Sequence, residues 1–205
     1  MTQAGVRSMS DSLYLSFWFS DFSGPEMIPP ALALLQQFPF SKPFPGITYV
    51  AVQPVSWNEA TVLEQRFSPG IAIEAAITIA ADLIHDDYAY IFEAYWDLWS
   101  PDETTGQWQL VPTAIKVTVQ GEEFDEGTYE QTGHIQVDFG LDAPFLQENI
   151  ALSEEGQAKI RENVARLVEF TVKAEKNTRA TARLLWSESE ENLAQKLIAR
   201  LQKVQ

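Results

Sequence analysis

The sequence predicts an α+β fold: an antiparallel-rich sheet of six or seven strands with about four helices packed on one side. Apolar residues alternate with a period of two through much of the first 140 positions, the pattern of half-buried strands. In four other segments they recur at helical spacing, one face of each segment being apolar. Hydrophobic residues make up 45% and aromatic residues 12% of the 205 positions, enough apolar surface to offset chain entropy in a single packed core.

Residues 1–11 are small and polar and read as a flexible N-terminal arm. In residues 13–22, Leu13, Leu15, Phe17 and Phe19 fall on one strand face, with Tyr14, Ser16, Trp18 and Ser20 on the other. Gly24-Pro25 breaks that strand, and residues 28–38 follow as a helix whose first turn tolerates Pro29 and Pro30. Pro39, Pro43, Pro45 and Gly46 make a stiff loop. Residues 47–56 are β-branched and form a second strand, in which Pro54 predicts an edge position or a bulge.

A third strand is expected at 60–67. The turn Ser68-Pro69-Gly70 comes next, with Ser68 as cap of a helix over 71–85. Residues 88–99 alternate and are rich in aromatics, a fourth strand. The order β-α-β-β-α-β so far is ferredoxin-like for the N-terminal half. A hairpin loop at 100–106 leads to a strand over 108–119, where Pro112 predicts a bulge or break. An acidic, glycine-punctuated loop fills 121–133, and 134–140 is a strand with Ile135, Val137 and Phe139 on one face.

Ser153 caps a long helix to about 176, buried through Ile160, Val164, Leu167, Val168 and Thr171. Residues 178–186 are a last strand. Ser187 and Glu190 have capping-box spacing before a final helix to about 203, which buries Leu193, Leu197, Ile198 and Leu201. Residues 12–205 are expected to be one domain, with 12–100 and 107–205 as sub-lobes of a continuous sheet.

The formal charge is -15, from 14 basic and 29 acidic residues. It is uneven: residues 1–150 carry 4 Lys/Arg against 21 Asp/Glu, and residues 151–205 carry 10 against 8. Such a chain repels nucleic acid and anionic membranes and attracts a basic partner. With no cysteine, disulfides, thiolate catalysis and Cys-ligated metal are excluded. The first residues lack an apolar signal-peptide core and no apolar run is long enough to span a bilayer, so a cytoplasmic location is expected. Oligomeric state is left open.

No phosphate-binding glycine loop, dinucleotide fingerprint, nucleophile elbow or zinc-protease motif is present. No cofactor or metal is implied. His85, in His85-Asp86-Asp87, reads as a helix C-terminal cap. His134 shares the polar face of its strand with Asp138, either as a surface histidine or as an imidazole oriented by a carboxylate. Glu93 and Asp97 share a strand face with Tyr95 and Trp99. Adjacent same-face positions lie about 6.5–7 Å apart, a spacing compatible with acid/base pairs acting on a glycoside. Glu93, Asp97, His134 and Asp138 are therefore the candidates for a carboxylate-based or metal-assisted hydrolase.

The leading expectation is different: a non-catalytic binding or protein-interaction domain that presents an acidic, aromatic-bearing face or loop to a basic protein. Trp18, Tyr95, Trp99 and Trp108 are its candidate surface, unless helices cover both faces of the sheet.

Overall fold

The computed structural model describes residues 11–102, 104–147, 152–188 and 193–202. Seven strands form one sheet: β1 (Ser12–Trp18), β2 (Ile47–Pro54), β3 (Leu63–Ile71), β4 (Tyr88–Pro101), β5 (Trp108–Gln120), β6 (Ile135–Leu141) and β7 (Ala182–Ser187). Their spatial order is β3-β2-β4-β5-β6-β1-β7, and every pairing is antiparallel. Six α-helices are described: α1 (Ile28–Gln37), α2 (Ile73–Ala81), α3 (Tyr129–Thr132), α4 (Ala143–Leu146), α5 (Glu154–Thr178) and α6 (Leu193–Leu201). Four of them are longer than one turn. The one-turn helices α3 and α4, which the sequence does not predict, follow β5 and β6 at opposite ends of the sheet; α4 packs on α5 and α6. No described helix is long and apolar enough to cross a membrane.

The chain order β-α-β-β-α-β is present, but the pairing is not ferredoxin-like. That fold is built from split β-α-β units, which contain parallel neighbours. Here β1 sits between β6 and β7, far from β2 and β4. Both predicted sub-lobes contribute to the one sheet, joined through the β4–β5 hairpin.

Alternation decides what each strand buries. In β4, Tyr90, Phe92, Ala94, Trp96 and Leu98 are buried, as are Ile115, Val117 and Val119 opposite them in β5. Leu13, Leu15 and Phe17 of β1 and Ile135, Val137 and Phe139 of β6 continue the same layer. Trp96 is its centre. Phe139 stacks on the indole at 5.3 Å, with Phe38 and Phe145 each at 5.8 Å, and Phe170 of α5 meets Phe38 edge-on at 5.5 Å. Rings in such arrangements add about 0.5–1.5 kcal/mol per pair beyond the area they bury.

The prolines differ from expectation in instructive ways. Pro54 lies in β2, an interior strand, and is tolerated because it is the last residue there. Pro112 does not break β5: it pairs with Asp97, and β6 joins β5 only from Lys116 onward, so the missing amide hydrogen faces no strand. Ser68-Pro69-Gly70 is not a turn but part of β3, an edge strand where proline is allowed. Ala72, not Ser68, therefore precedes α2, which is shorter than predicted. Ser153 does cap α5, accepting from the Gly156 amide at 3.1 Å. Glu190 of the expected capping box and residues 1–10 of the expected arm lie outside the described residues.

β4 outruns β2. Their pairing ends at Tyr49–Glu93, yet β4 continues to Pro101, leaving one of its edges without a strand. Other groups satisfy that edge. The Tyr95 carbonyl accepts from the Ser41 amide at 2.6 Å, and the Asp97 carbonyl accepts from the Arg166 guanidinium. Asn163 of α5 takes both groups of Trp99, accepting from its amide at 2.9 Å and donating to its carbonyl at 2.8 Å. The same side-chain amide donates to the Pro144 carbonyl at 2.8 Å, and Asn163 is fully buried. Asn163→Leu removes the partner of three part-buried backbone groups and is expected to destabilise by about 2–4 kcal/mol. Urea unfolding of this variant against wild type checks the figure.

Candidate interaction surface

One end of the sheet collects negative charge. There β1, β2 and β5 finish and β3, β4, β6 and β7 begin; the connecting segments 19–26, 54–60, 82–88 and 121–134 meet there, with the α5–β7 turn and its Arg179 beside the end of β1. Backbone hydrogen bonds tie them: Val55 amide to Asp87 carbonyl (2.7 Å), Asp125 amide to Val55 carbonyl (2.7 Å), Glu123 amide to Asp86 carbonyl (3.0 Å). The Asp86 carboxylate also accepts from the Gly24 amide. These segments hold eleven carboxylates and no lysine or arginine: Asp21, Glu26, Glu59, Asp82, Asp86, Asp87, Glu122, Glu123, Asp125, Glu126 and Glu130. Most are exposed to solvent.

Two apolar side chains stand out among them. Trp57 is 48% exposed, its ring edge-on to buried Phe124 at 4.9 Å, and Val55 is 52% exposed. Val55 has φ 57°, a conformation that β-branched residues rarely adopt. Its amide and carbonyl are both held by neighbouring loops, which overrides the local preference. Gly121 permits the closest approach in this region, since a Cβ there would sit 2.0 Å from the Asp86 carbonyl oxygen. Beneath the surface, the Tyr90 hydroxyl donates to the Leu83 carbonyl at 2.9 Å and accepts from the His85 amide at 2.7 Å. Burial pushes its pKa upward.

His134 is not on a solvated face: it is 3% exposed, packed against Tyr129 (4.3 Å), Phe22 (4.7 Å) and Phe19 (6.1 Å). Its Nδ1 accepts from the Phe19 amide at 3.0 Å, so the neutral ring carries its proton on Nε2. That nitrogen faces Glu122 Oε1 at 3.4 Å. Burial among the rings lowers the His134 pKa, and the Glu122 carboxylate opposes the shift without cancelling it. His85 is exposed beyond the end of α2 rather than capping it, with Nδ1 3.3 Å from Asp87 and its ring stacked on Tyr88.

The four hydrolase candidates are dispersed. Glu93 and Asp97 are four residues apart along β4, about 13 Å by the rise of a strand. Glu93 pairs with Arg66 at 3.6 Å, and Asp97 accepts from the Ser41 hydroxyl (2.6 Å) and the Lys42 amide (3.2 Å). Asp138 lies 3.8 Å from Lys116 and accepts from the Gly140 amide. His134 is at the acidic end. None of the four lines either described cavity. Among the described residues no group of three His, Asp or Glu side chains is placed to hold a metal ion.

The aromatic candidates fall in three places, because alternation fixes the face a residue takes and not its position along the strand. Trp18 donates its indole N–H to the Tyr129 carbonyl at 2.9 Å, beside His134. Tyr95 meets Phe44 at 5.1 Å on the face away from the core. Trp99 and Trp108 come together at the opposite end of the sheet, lining a cavity of about 590 Å³ with Pro144, Leu152 and Ile160. Its polar rim is used locally: Asp102 accepts from Thr104 and Thr105, which keeps its carboxyl pKa low, and Ser153 caps α5. Lys159 sits 3.5 Å over the Trp99 ring, whose N–H donates to Glu162.

The face away from the core carries one cross-strand row, with a residue from each strand: Arg66, Tyr49, Glu93, Lys116, Asp138, Tyr14 and Trp186. Within this row the charges alternate and pair.

No family model, curated protein or solved structure matches this chain.

Trp57 and Val55 are absent from the candidates read off the sequence, since Trp57 lies in a loop where no periodicity assigns a face. A Trp flanked by Glu59 and close to a strand-ending Pro54 is the signal that was there to use.

His134 makes stability depend on pH. The unfolded chain takes up the proton near the ordinary histidine pKa of about 6.5, and the folded chain does so only at lower pH. Stability is therefore full above about 6.5 and falls as pH drops below it. Denaturation midpoints between pH 7.5 and pH 5 should decline for wild type and be flatter for His134→Gln.

Proposed function

We propose that the protein is a non-catalytic interaction domain, cytoplasmic, that receives a basic protein partner on the acidic end of its sheet. The observation that carries this reading is the coincidence of eleven carboxylates, no lysine or arginine, and exposed Trp57 and Val55 in one set of tied loops. Carboxylates at a rim draw a cationic partner in and fix its orientation. An exposed tryptophan beside them supplies the apolar anchor that such contacts need. The strain at Val55 points the same way, because strained residues persist where surrounding structure or function demands them.

A carboxylate-based hydrolase is the alternative. It draws no support from the placement of Glu93, Asp97, His134 and Asp138, which share neither a cavity nor a common partner.

Titration with a synthetic lysine- and arginine-rich peptide tests the reading. Binding is expected at low salt and should weaken steeply as salt rises. Glu122→Lys with Glu126→Lys should abolish it. Glu154→Lys with Glu155→Lys makes the same change in net charge on α5 and should leave it largely intact. Equal loss in both pairs would mean that net charge alone attracts the peptide, and would refute a localised site. Trp57→Ala should cost about 1–2 kcal/mol of binding. Val55→Gly should raise stability by roughly 0.5–1 kcal/mol, by relieving the left-handed conformation, while weakening peptide binding.

A further inference from the structure

The two ring nitrogens of buried His134 are in different situations. Nδ1 accepts from the Phe19 amide at 3.0 Å. Nε2, which carries the proton of the neutral ring, lies 3.4 Å from Glu122 Oε1 and makes no hydrogen bond among the described residues. Glu122, from the segment after β5, is the one charge that acts on the ring. The other elements packed on it bring aromatic rings: Tyr129 of α3, and Phe19 and Phe22 of the segment after β1.

The two sides of the Phe19–His134 bond are held unequally. The backbone of His134 is fixed. Its carbonyl accepts from the Gln120 amide at 2.9 Å, which ties it to β5. Gly133, at φ 91°, lies so close to β1 that a Cβ there would sit 3.0 Å from the Phe17 amide nitrogen and carbonyl oxygen. Residues 19–22 have less to hold them. Their main chain makes a single hydrogen bond to the rest of the described residues, the one from Phe19 to His134. Beyond it, Phe22 packs on Phe19 at 4.9 Å and on His134 at 4.7 Å, while Ser20 and Asp21 are exposed.

We propose that His134 is a proton-operated latch for the acidic end of the sheet: on taking up a proton it exchanges the Phe19 amide for the Glu122 carboxylate, and residues 19–22 come away. The added proton goes to the Nδ1 lone pair, since Nε2 already bears one. Two N–H groups then face each other across 3.0 Å, and the Phe19 amide loses its acceptor. The imidazolium keeps its place. Its Nε2–H lies beside Glu122, whose side chain is 41% exposed and can close the remaining distance. The faces of Tyr129 and Phe22 accept a cation. The loosely held partner is therefore the one that moves. Because burial opposes the charge, the exchange falls below the ordinary histidine pKa of about 6.5. Asp21 then leaves the set of carboxylates and Glu122 is matched by the imidazolium, so acid weakens the surface offered to a basic partner. That consequence rests on the interaction reading above; the latch itself does not.

Nuclear magnetic resonance on the full chain tests it, following the His134 ring nitrogens and the exchange protection of backbone amides from pH 7.5 to pH 5. The Phe19 amide should lose protection by about tenfold or more in step with Nδ1 protonation, while amides of the β4–β5 ladder keep theirs. His134→Gln offers Phe19 an acceptor oxygen and Glu122 a donor N–H without titrating, so Phe19 should stay protected throughout. Glu122→Gln, which leaves the histidine in place, should move ring protonation and loss of protection together to lower pH. Phe19 protection that survives protonation of His134 overturns the proposal. So does a loss that spreads equally to the β4–β5 ladder, a loss that persists in His134→Gln, or a ring that stays neutral until the whole chain unfolds. Affinity for the lysine- and arginine-rich peptide should fall about threefold or more over the same range in wild type and stay level in His134→Gln. A peptide that binds at no pH would sink the interaction reading and leave the amide result to decide the latch.

Discussion

The structure depends on how the unpaired edge of β4 is satisfied. A strand of fourteen residues beside one of eight leaves part-buried amides and carbonyls that need partners. Asn163 and Arg166 of α5 and Ser41 of the loop before β2 serve them instead. These bonds fix the rotation and height of α5 over the sheet. With α5 so placed, Phe170 reaches Phe38 and the aromatic cluster around Trp96 closes. The polar bonds set the register and the rings supply most of the burial energy; neither would hold α5 in place alone.

The two ends of the sheet are consequently different in kind. At the far end, Trp99, Trp108 and the start of α5 enclose a largely apolar cavity whose polar groups serve the turn and the helix cap. At the near end, eleven carboxylates crowd together in loops that hold no lysine or arginine, with Arg179 of the α5–β7 turn at their flank. That crowding opposes folding, and the loops offset it with backbone bonds, the Gly121 contact and a neutral His134 under the surface. A fold that retains such repulsion together with a strained Val55 sacrifices stability at that end, a pattern usual where recognition is at stake.

Local chemistry was legible in the sequence; partnership was not. Alternation in β4 and β6 and the Ser153 cap of α5 need only near neighbours, and each is found where the pattern puts it. The place of β1 next to β6 depends on contacts more than a hundred positions away, which no short window contains. His134 shows the same gap. Its parity places it beside Gln136 and Asp138, but the Phe19, Phe22 and Tyr129 rings that bury it arrive from distant turns. Proline rules misled where they assumed a crowded sheet: Pro112 is harmless because its neighbour strand starts later. The stripe of α6 is apolar as its spacing predicts, but only Leu193 and Leu197 of it are buried, while Ile198 and Leu201 are exposed.

The cross-strand row on the open face has an electrical consequence. Because Arg66, Glu93, Lys116 and Asp138 neutralise one another, that row adds little to the external field. The field is left to the loops at one end, so the molecule behaves as a dipole as well as an anion. A cation approaching from any side exerts a torque that turns those loops toward it before contact. Charge placement of this sort governs how often productive encounters happen, and leaves their lifetime to Trp57 and its surroundings.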